Sequence, residues 1–122
     1  MTTIAASPAA RVDALPWDEL GAQLDARGFA VTDRVLDAAD CDALAGLFDA
    51  GRFRSTVDMA RHRFGDGRYR YFAHPLPEMV EQARAGFYPH LAAIAITWAE
   101  RLGEPGFPET HAGLLERCRV AG

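Results

Sequence analysis

The stretch from residue 53 to residue 72 most constrains the fold, because it predicts a β-hairpin in a chain otherwise patterned for helices. Residues 53–57 and 69–72 alternate in character, and Gly65-Asp66-Gly67 lies between them. A glycine-containing turn between two alternating segments indicates a hairpin. So few short strands cannot close a barrel or a sandwich, and they leave open sheet edges. We therefore expect a mainly helical α+β chain whose sheet is incomplete.

Helical periodicity accounts for most of the remaining sequence. The first predicted helix begins at Pro16 and ends at Gly28, a suitable C-terminal cap. Asp37 is placed to cap a second helix that ends near Gly51. The other predicted elements are a short strand over 29–32, a third helix over 78–85 that Gly86 breaks or bends, a largely buried fourth helix from Pro89 to Gly103, and a final helix that stops at Gly122.

The length of 122 residues suits one domain, which we place at residues 15–122 after a flexible tail over residues 1–14. The tail lacks the basic and apolar regions of a signal peptide, and no apolar run reaches the ~18 residues that span a bilayer. A cytoplasmic protein with no membrane partner is the expectation. Cys41 and Cys118 fall on apolar helix stripes, which favours buried free thiols.

Charge is distributed unevenly along the chain. Residues 53–72 carry five arginines against two acids, whereas the rest carries eight arginines against fifteen acids. The net charge of −4 argues against general binding of nucleic acid by the whole molecule, so any such binding has to be local.

The same stretch supplies the candidate binding residues. Arginine forks bind carboxylate or phosphate and stack on flat groups, and five aromatic residues accompany the arginines here. The competing interpretation is a solvated hairpin face. The candidates for substrate contact are Arg54, Arg61, His62, Arg63 and Tyr71.

The sequence identifies no catalytic or metal-binding residue. None of the four histidines stands in a His-x-Asp or His-x-Glu pair, a His-Glu-x-x-His helix or a Cys-x-x-Cys frame. The glycines at 65 and 67 lack the lysine of a phosphate loop, and the serines have no nucleophile-elbow context.

A resemblance to a known family rests on several of these segments. They are Gly28-Phe29-Ala30-Val31, Val35-Leu36, Cys41 to Leu47, the block from Phe53 to Gly65, Tyr69-Arg70-Tyr71-Phe72, Pro75-Leu76-Pro77 and Trp98 to Gly103. In this order the segments resemble the N-terminal part of bacterial 2-oxoglutarate- and Fe(II)-dependent oxygenases of the prolyl-hydroxylase-like branch. The resemblance covers residues 16–122, and Arg-Ser-Thr-Val-Asp-Met-Ala-Arg-His is its most specific part.

The resemblance implies a double-stranded β-helix, or jelly-roll, dioxygenase fold whose β-helix core is largely absent from this chain. In that family the iron ligands and the arginine that binds 2-oxoglutarate follow the point where this chain stops, so none can be assigned to a residue here. The complete fold would use Fe(II) and 2-oxoglutarate to hydroxylate a peptide or small molecule. We expect this chain to be an inactive fragment that binds neither cofactor alone.

Two other interpretations come from the residues themselves. In the first, the chain is a non-enzymatic binding module whose hairpin over 53–72 docks an acidic protein segment or nucleic acid. In the second, the open edges of the sheet pair with a second chain, so that the protein self-associates.

Overall fold

The computed structural model describes residues 6–122, and this part of the chain contains helices and one hairpin. The elements are α1 (Pro8–Asp13), α2 (Trp17–Arg27), α3 (Ala38–Gly46), β1 (Phe53–Asp58), a 3-10 turn (Met59–His62), β2 (Arg68–Phe72), α4 (Glu78–Leu102) and α5 (His111–Ala121). Contacts divide the chain into two compact units. The first unit combines the chain up to Val35 with Gln82–Gly122, and the second is Leu36–Glu81.

Helix α1 corrects the prediction of a flexible tail over residues 1–14. The Ser7 side chain accepts a hydrogen bond from the Ala10 N–H at the start of the helix, and Pro8 occupies its first turn. Val12 is fully buried, so packing holds this short helix in place. The part of the tail prediction that concerns residues 1–5 lies outside the described residues.

Helix α2 confirms the first predicted helix and its ends. Asp18 and Glu19 lie in the first turn, where the helix dipole favours negative charge. Gly28 adopts a left-handed φ of 79° and donates its N–H to the Leu24 carbonyl, which caps the C-terminus. Leu20 supplies the buried face.

Helix α3 begins as the sequence predicts and ends earlier. Asp37 accepts a hydrogen bond from the Asp40 N–H at 2.8 Å, and the Asp40 carboxylate accepts one from the Asp37 N–H at 3.1 Å. This reciprocal capping box fixes the start. The helix ends at Gly46 and not near Gly51. The strand predicted over residues 29–32 does not form among the described residues.

The hairpin predicted over residues 53–72 is confirmed. β1 and β2 pair antiparallel, with Phe53 opposite Phe72 and Asp58 opposite Arg68. An irregularity between Phe53 and Ser55 shifts the register at one end. The sheet formed by the described residues has these two strands.

Helix α4 runs through both positions at which a break was predicted, so the separate third and fourth helices are wrong. Pro89 lies inside the helix, although proline removes one backbone hydrogen bond there. The Trp17 ring contacts residues on both sides of it: edge-on to Phe87 at 6.0 Å and stacked on His90 at 4.4 Å. We attribute the continuity of α4 to this packing.

Burial along α4 is also lower than the sequence predicts. Ala92 and Ala99 are buried, but Leu91, Trp98 and Leu102 are exposed. The buried positions of α4 are therefore occupied by small residues. Cys41 and Cys118 are free, as predicted, but the prediction that they are buried is wrong, because both are exposed.

Within residues 6–122, none of the helices combines the length and the apolar character that crossing a bilayer requires.

Candidate functional site

The hairpin separates its arginines into one that packs and several that face water. Side chains alternate between the two faces of a strand, so neighbouring residues of β2 point in opposite directions. Arg70 is half-buried, whereas Arg68, Tyr69 and Tyr71 are exposed. The two faces therefore have to be considered separately.

On the packed face, Arg70 binds to aromatic rings of its own unit. Its guanidinium carbon lies 4.5 Å from the centre of the Phe48 ring and 5.1 Å from that of Phe53. The guanidinium also donates a hydrogen bond to the Phe48 carbonyl. Phe53 stacks on Phe72 at 5.3 Å, which completes the cluster. Arg70 therefore stabilises the hairpin and is not available to a ligand.

The opposite face presents two tyrosines and an arginine. Tyr69 and Tyr71 meet edge-to-face at 5.7 Å, and each keeps almost half of its surface exposed. The guanidinium of Arg54 lies 4.9 Å from the centre of the Tyr71 ring. This cation–π contact orients an exposed arginine without neutralising its charge. The face can offer both a positive charge and a flat ring.

A network of backbone hydrogen bonds orders the hairpin tip, which comprises residues 59–67. The Asp58 carboxylate accepts a hydrogen bond from the Ala60 N–H at 3.0 Å and so caps the 3-10 turn. The Met59 N–H donates to the Gly67 carbonyl, and the Phe64 N–H donates to the Met59 carbonyl. The tip is therefore a defined structure and not an extended loop.

Exposed side chains of mixed chemistry project from this tip. Arg61, His62, Arg63 and Phe64 are all exposed, and the His62 and Phe64 rings lie 6.5 Å apart at 30°. The Phe64 side chain is 76% exposed to solvent. The tip thus combines two cations with an aromatic pair.

The five predicted contact residues fall into these two groups. Arg54 and Tyr71 contact each other on the face that presents Tyr69 and Tyr71. Arg61, His62 and Arg63 are consecutive residues of the tip.

The sequence-based choice omitted two exposed aromatic residues of the same surfaces. Tyr69 lies on the same face as Tyr71. The two-residue period of a β-strand could have indicated this from the sequence. Phe64 immediately precedes the Gly65-Asp66-Gly67 turn. This position at the tip of the predicted hairpin could have indicated that Phe64 is exposed.

The described residues do not assemble a metal site. Among residues 6–122, no group of three or more histidines, cysteines, aspartates or glutamates is placed to hold an ion. The donor set that a non-haem iron would need is therefore not formed by these side chains.

A second polar cluster, in the first unit, is best explained as structural. Trp98 Nε1 donates to Asp25 Oδ1 at 2.6 Å, and Arg101 approaches the same oxygen at 3.2 Å. The hydrogen bond from Trp98 lowers the pKa of the Asp25 carboxyl below its ordinary value of 3.8, and the charge of Arg101 adds to this effect. A shallow hollow lies beside the cluster, lined in part by Trp17 and Gly21. Because Asp25 is already engaged by two donors that join α2 to α4, we do not assign a ligand to it.

Comparison with known proteins adds one finding. Residues 67–122 match the model of a family described as an oxygenase that catalyses oxidative methylation of damaged DNA. The match supports a relationship to oxygenases. It gives no support to the prolyl-hydroxylase-like branch in particular. No curated protein and no solved structure matches the chain.

The matched segment contains 56 of the 122 residues, from β2 through α4 to α5. Tyr69 and Tyr71 lie inside it, whereas Arg54 and the tip residues 61–64 lie outside it. The relationship to oxygenases therefore rests on one strand of the hairpin and on the C-terminal helices.

Proposed function

We propose that this chain is the substrate-contacting part of an oxygenase that acts on damaged DNA, and that its hairpin binds the DNA. The family description of the matched segment supports the reaction class and the substrate. The observation that carries the binding role is the exposure of Arg54, Arg61 and Arg63 on a hairpin that also exposes aromatic rings.

Local charge makes DNA compatible with a chain of net charge −4. The segment 53–72 has a net charge of +3, because five arginines face two acids. Charges are screened beyond about 8 Å at physiological ionic strength, so a phosphate at the hairpin mainly experiences this positive region. Binding of DNA at the hairpin is therefore local, as the net charge requires.

We further propose that the oxygenase depends on Fe(II) and 2-oxoglutarate, like the oxygenases that the sequence resembles. Its catalytic core would be a jelly roll, and its location would be cytoplasmic. The described side chains do not fit an iron site, so we assign no chemical step to them. The role proposed for this chain is to hold the substrate. A peptide or small-molecule substrate of the prolyl-hydroxylase-like kind is the alternative within the same reaction class.

The test of DNA binding is a fluorescence anisotropy titration of the chain against a labelled oligonucleotide that carries methylated bases. We expect binding that weakens steeply as salt rises, because arginines that contact phosphates release counterions. The double variant Arg61→Ala/Arg63→Ala should bind at least about ten-fold more weakly at low salt, and the salt slope should fall by about 2.

A charge-matched control separates the hairpin from general electrostatics. Arg27→Ala/Arg34→Ala removes the same number of exposed arginines from the first unit. Equal weakening by both double variants, or no binding by the wild type, would overturn the proposed contact with DNA. Competition by poly-glutamate at equal charge concentration would favour the non-enzymatic module that docks an acidic protein segment.

The cofactors require a separate experiment. Calorimetric titration of 2-oxoglutarate into the chain, without oxygen and with Mn(II) in place of Fe(II), should give no heat of binding. One-to-one binding would show that the side chains of this chain do build a cofactor site, and the role proposed here would then be too narrow.

A further inference from the structure

The proposed contacts of arginines with DNA do not explain why the Phe64 side chain is exposed. It keeps 76% of its surface in water although it belongs to an ordered tip and not to a loose loop. Single exposed hydrophobic residues are common and need no function. Phe64 differs in following two exposed arginines of the basic segment, Arg61 and Arg63, so its surroundings have to be considered with it.

The backbone beside Phe64 holds an unusual conformation. Arg63 has a φ of 59°, in the left-handed region that residues other than glycine adopt infrequently. It caps the 3-10 turn through its N–H, which donates to the Ala60 carbonyl at 3.3 Å. The next N–H, that of Phe64, donates to the Met59 carbonyl at 3.2 Å. These bonds hold the backbone at Arg63 and Phe64, and the Phe64 ring is exposed.

The chemistry around the ring selects the kind of partner. An aromatic face can stack on a nucleobase, and any base offers such a face once it is unpaired. Arg61 and Arg63 supply positive charge to either side of His62, and so are suited to phosphates of the same strand. A partner that offers flat rings and regularly spaced negative charges is a nucleic acid with unpaired bases.

We propose that Phe64 is a stacking residue for an unpaired base, and that the hairpin tip therefore selects single-stranded DNA or an unpaired position over continuous duplex. This inference rests on the proposed function, because it assumes that DNA is the partner. It adds what that function leaves open, namely which form of DNA the tip recognises and which side chain distinguishes it.

The test compares two substrates and three variants of the full chain. The substrates are a labelled single strand and the duplex made from it, titrated by anisotropy at one salt concentration. Phe64→Ala should weaken binding to the single strand by about ten-fold or more, in line with the loss of one base–aromatic stack, and should leave duplex binding within about two-fold. Phe64→Trp should restore the preference for the single strand, since it retains an aromatic face.

The matched control is Phe29→Ala. Phe29 is also exposed and also lies beside an arginine, with the Arg27 guanidinium 5.0 Å from its ring centre, but it belongs to the first unit. Phe29→Ala should change neither affinity. Far-UV circular dichroism of each variant shows that the helices are intact.

The outcomes separate this inference from the proposed function. No binding of either substrate by the wild type would overturn the proposed function. Equal affinity for the two substrates with no effect of Phe64→Ala would overturn the stacking role alone, and the arginine contacts would stand. Equal weakening of both substrates by Phe64→Ala would also overturn the selection of unpaired bases, because it would indicate a wedge in the duplex.

Discussion

Two arginines on the same face of β2, Arg68 and Arg70, differ in how deeply they pack. Arg70 packs against Phe48 and Phe53 and donates a hydrogen bond to the Phe48 carbonyl. Arg68 also approaches the Phe48 ring, at 5.6 Å, but remains exposed. A count of arginines in the basic segment therefore overestimates how many can meet a ligand.

Replacing Arg70 should destabilise the second unit. Arg70→Ala removes the donor to the Phe48 carbonyl and the cation over two rings, and we expect the free energy of unfolding to fall by about 1–3 kcal/mol. Urea denaturation followed by circular dichroism measures this change. Arg61→Ala, at an exposed position, should stay within about 0.5 kcal/mol of the wild type. Equal stability of the two variants would show that the packing of Arg70 contributes nothing.

Asp25 gives the first unit a defined dependence on pH. Its pKa is lowered by the hydrogen bond from Trp98 and by Arg101, so the carboxylate is favoured in the folded state. A lowered pKa contributes stability that is present above the ordinary value of 3.8 and is lost as the pH falls through the lowered value.

Asp25→Asn should therefore be less stable than the wild type at neutral pH, and the difference should shrink at pH values below 3.8. Thermal unfolding at several pH values measures it. Because Asp25 is on the surface, we expect a small effect. A difference that is constant across this range would contradict the assignment. Asp33→Asn, at an exposed acid of the first unit that lies outside the helices, is the control.

At the scale of elements, the contact between α1 and α4 depends on a glycine. A Cβ atom built on Gly86 would lie 3.2 Å from the Ala9 Cα and 3.4 Å from the Val12 Cβ. Gly86, which the sequence suggested as a helix breaker, is therefore a point of close approach between two helices.

A larger side chain at position 86 should separate these helices. Gly86→Leu should lower the free energy of unfolding by about 1–3 kcal/mol, because the packed backbone of α1 has to move. Gly46→Ala is the matched control, since nothing lies within 4 Å of a Cβ there. It should be neutral or stabilise α3 by up to about 1 kcal/mol through helix propensity. Thermal unfolding of both variants measures these changes. A Gly86→Leu variant more stable than the wild type would contradict the observed contact.

The elements that the sequence predicts correctly are those whose ends are coded locally. Gly28 caps α2 through its own conformation, and Asp37 and Asp40 cap α3 through their own carboxylates. The hairpin likewise depends on alternation and on a glycine turn within twenty residues. Each of these features needs no knowledge of the rest of the chain.

The errors concern elements that depend on distant residues. Pro89 predicts a helix start by local rules, but α4 continues through it, and we attribute this to contacts of Trp17 with Phe87 and His90. Val12 is fully buried and lies beside Gly86 of α4, a contact with a distant residue that local sequence rules cannot predict. For the site, the sequence locates the hairpin, but which arginine is packed depends on Phe48, in the segment after α3.

At the scale of the whole molecule, apolar surface and sheet edges remain open. The hairpin is a two-stranded sheet, and Leu102, Phe107 and Val120 are among the exposed apolar side chains. Open edges and exposed apolar side chains both favour association. We therefore expect the mass measured by sedimentation equilibrium to rise with protein concentration. A constant monomer mass over a hundred-fold range of concentration would contradict this expectation.

The most direct test of the account is to locate where DNA touches the chain. A ¹⁵N-labelled sample titrated with a short single strand shows which amide resonances shift. We predict the largest shifts at Arg54, at residues 61–64 and at Tyr69 and Tyr71, with small shifts in α2 and α5. Shifts concentrated in those helices, or none at saturating DNA, would contradict the claim that the arginine–aromatic hairpin is the DNA-binding surface.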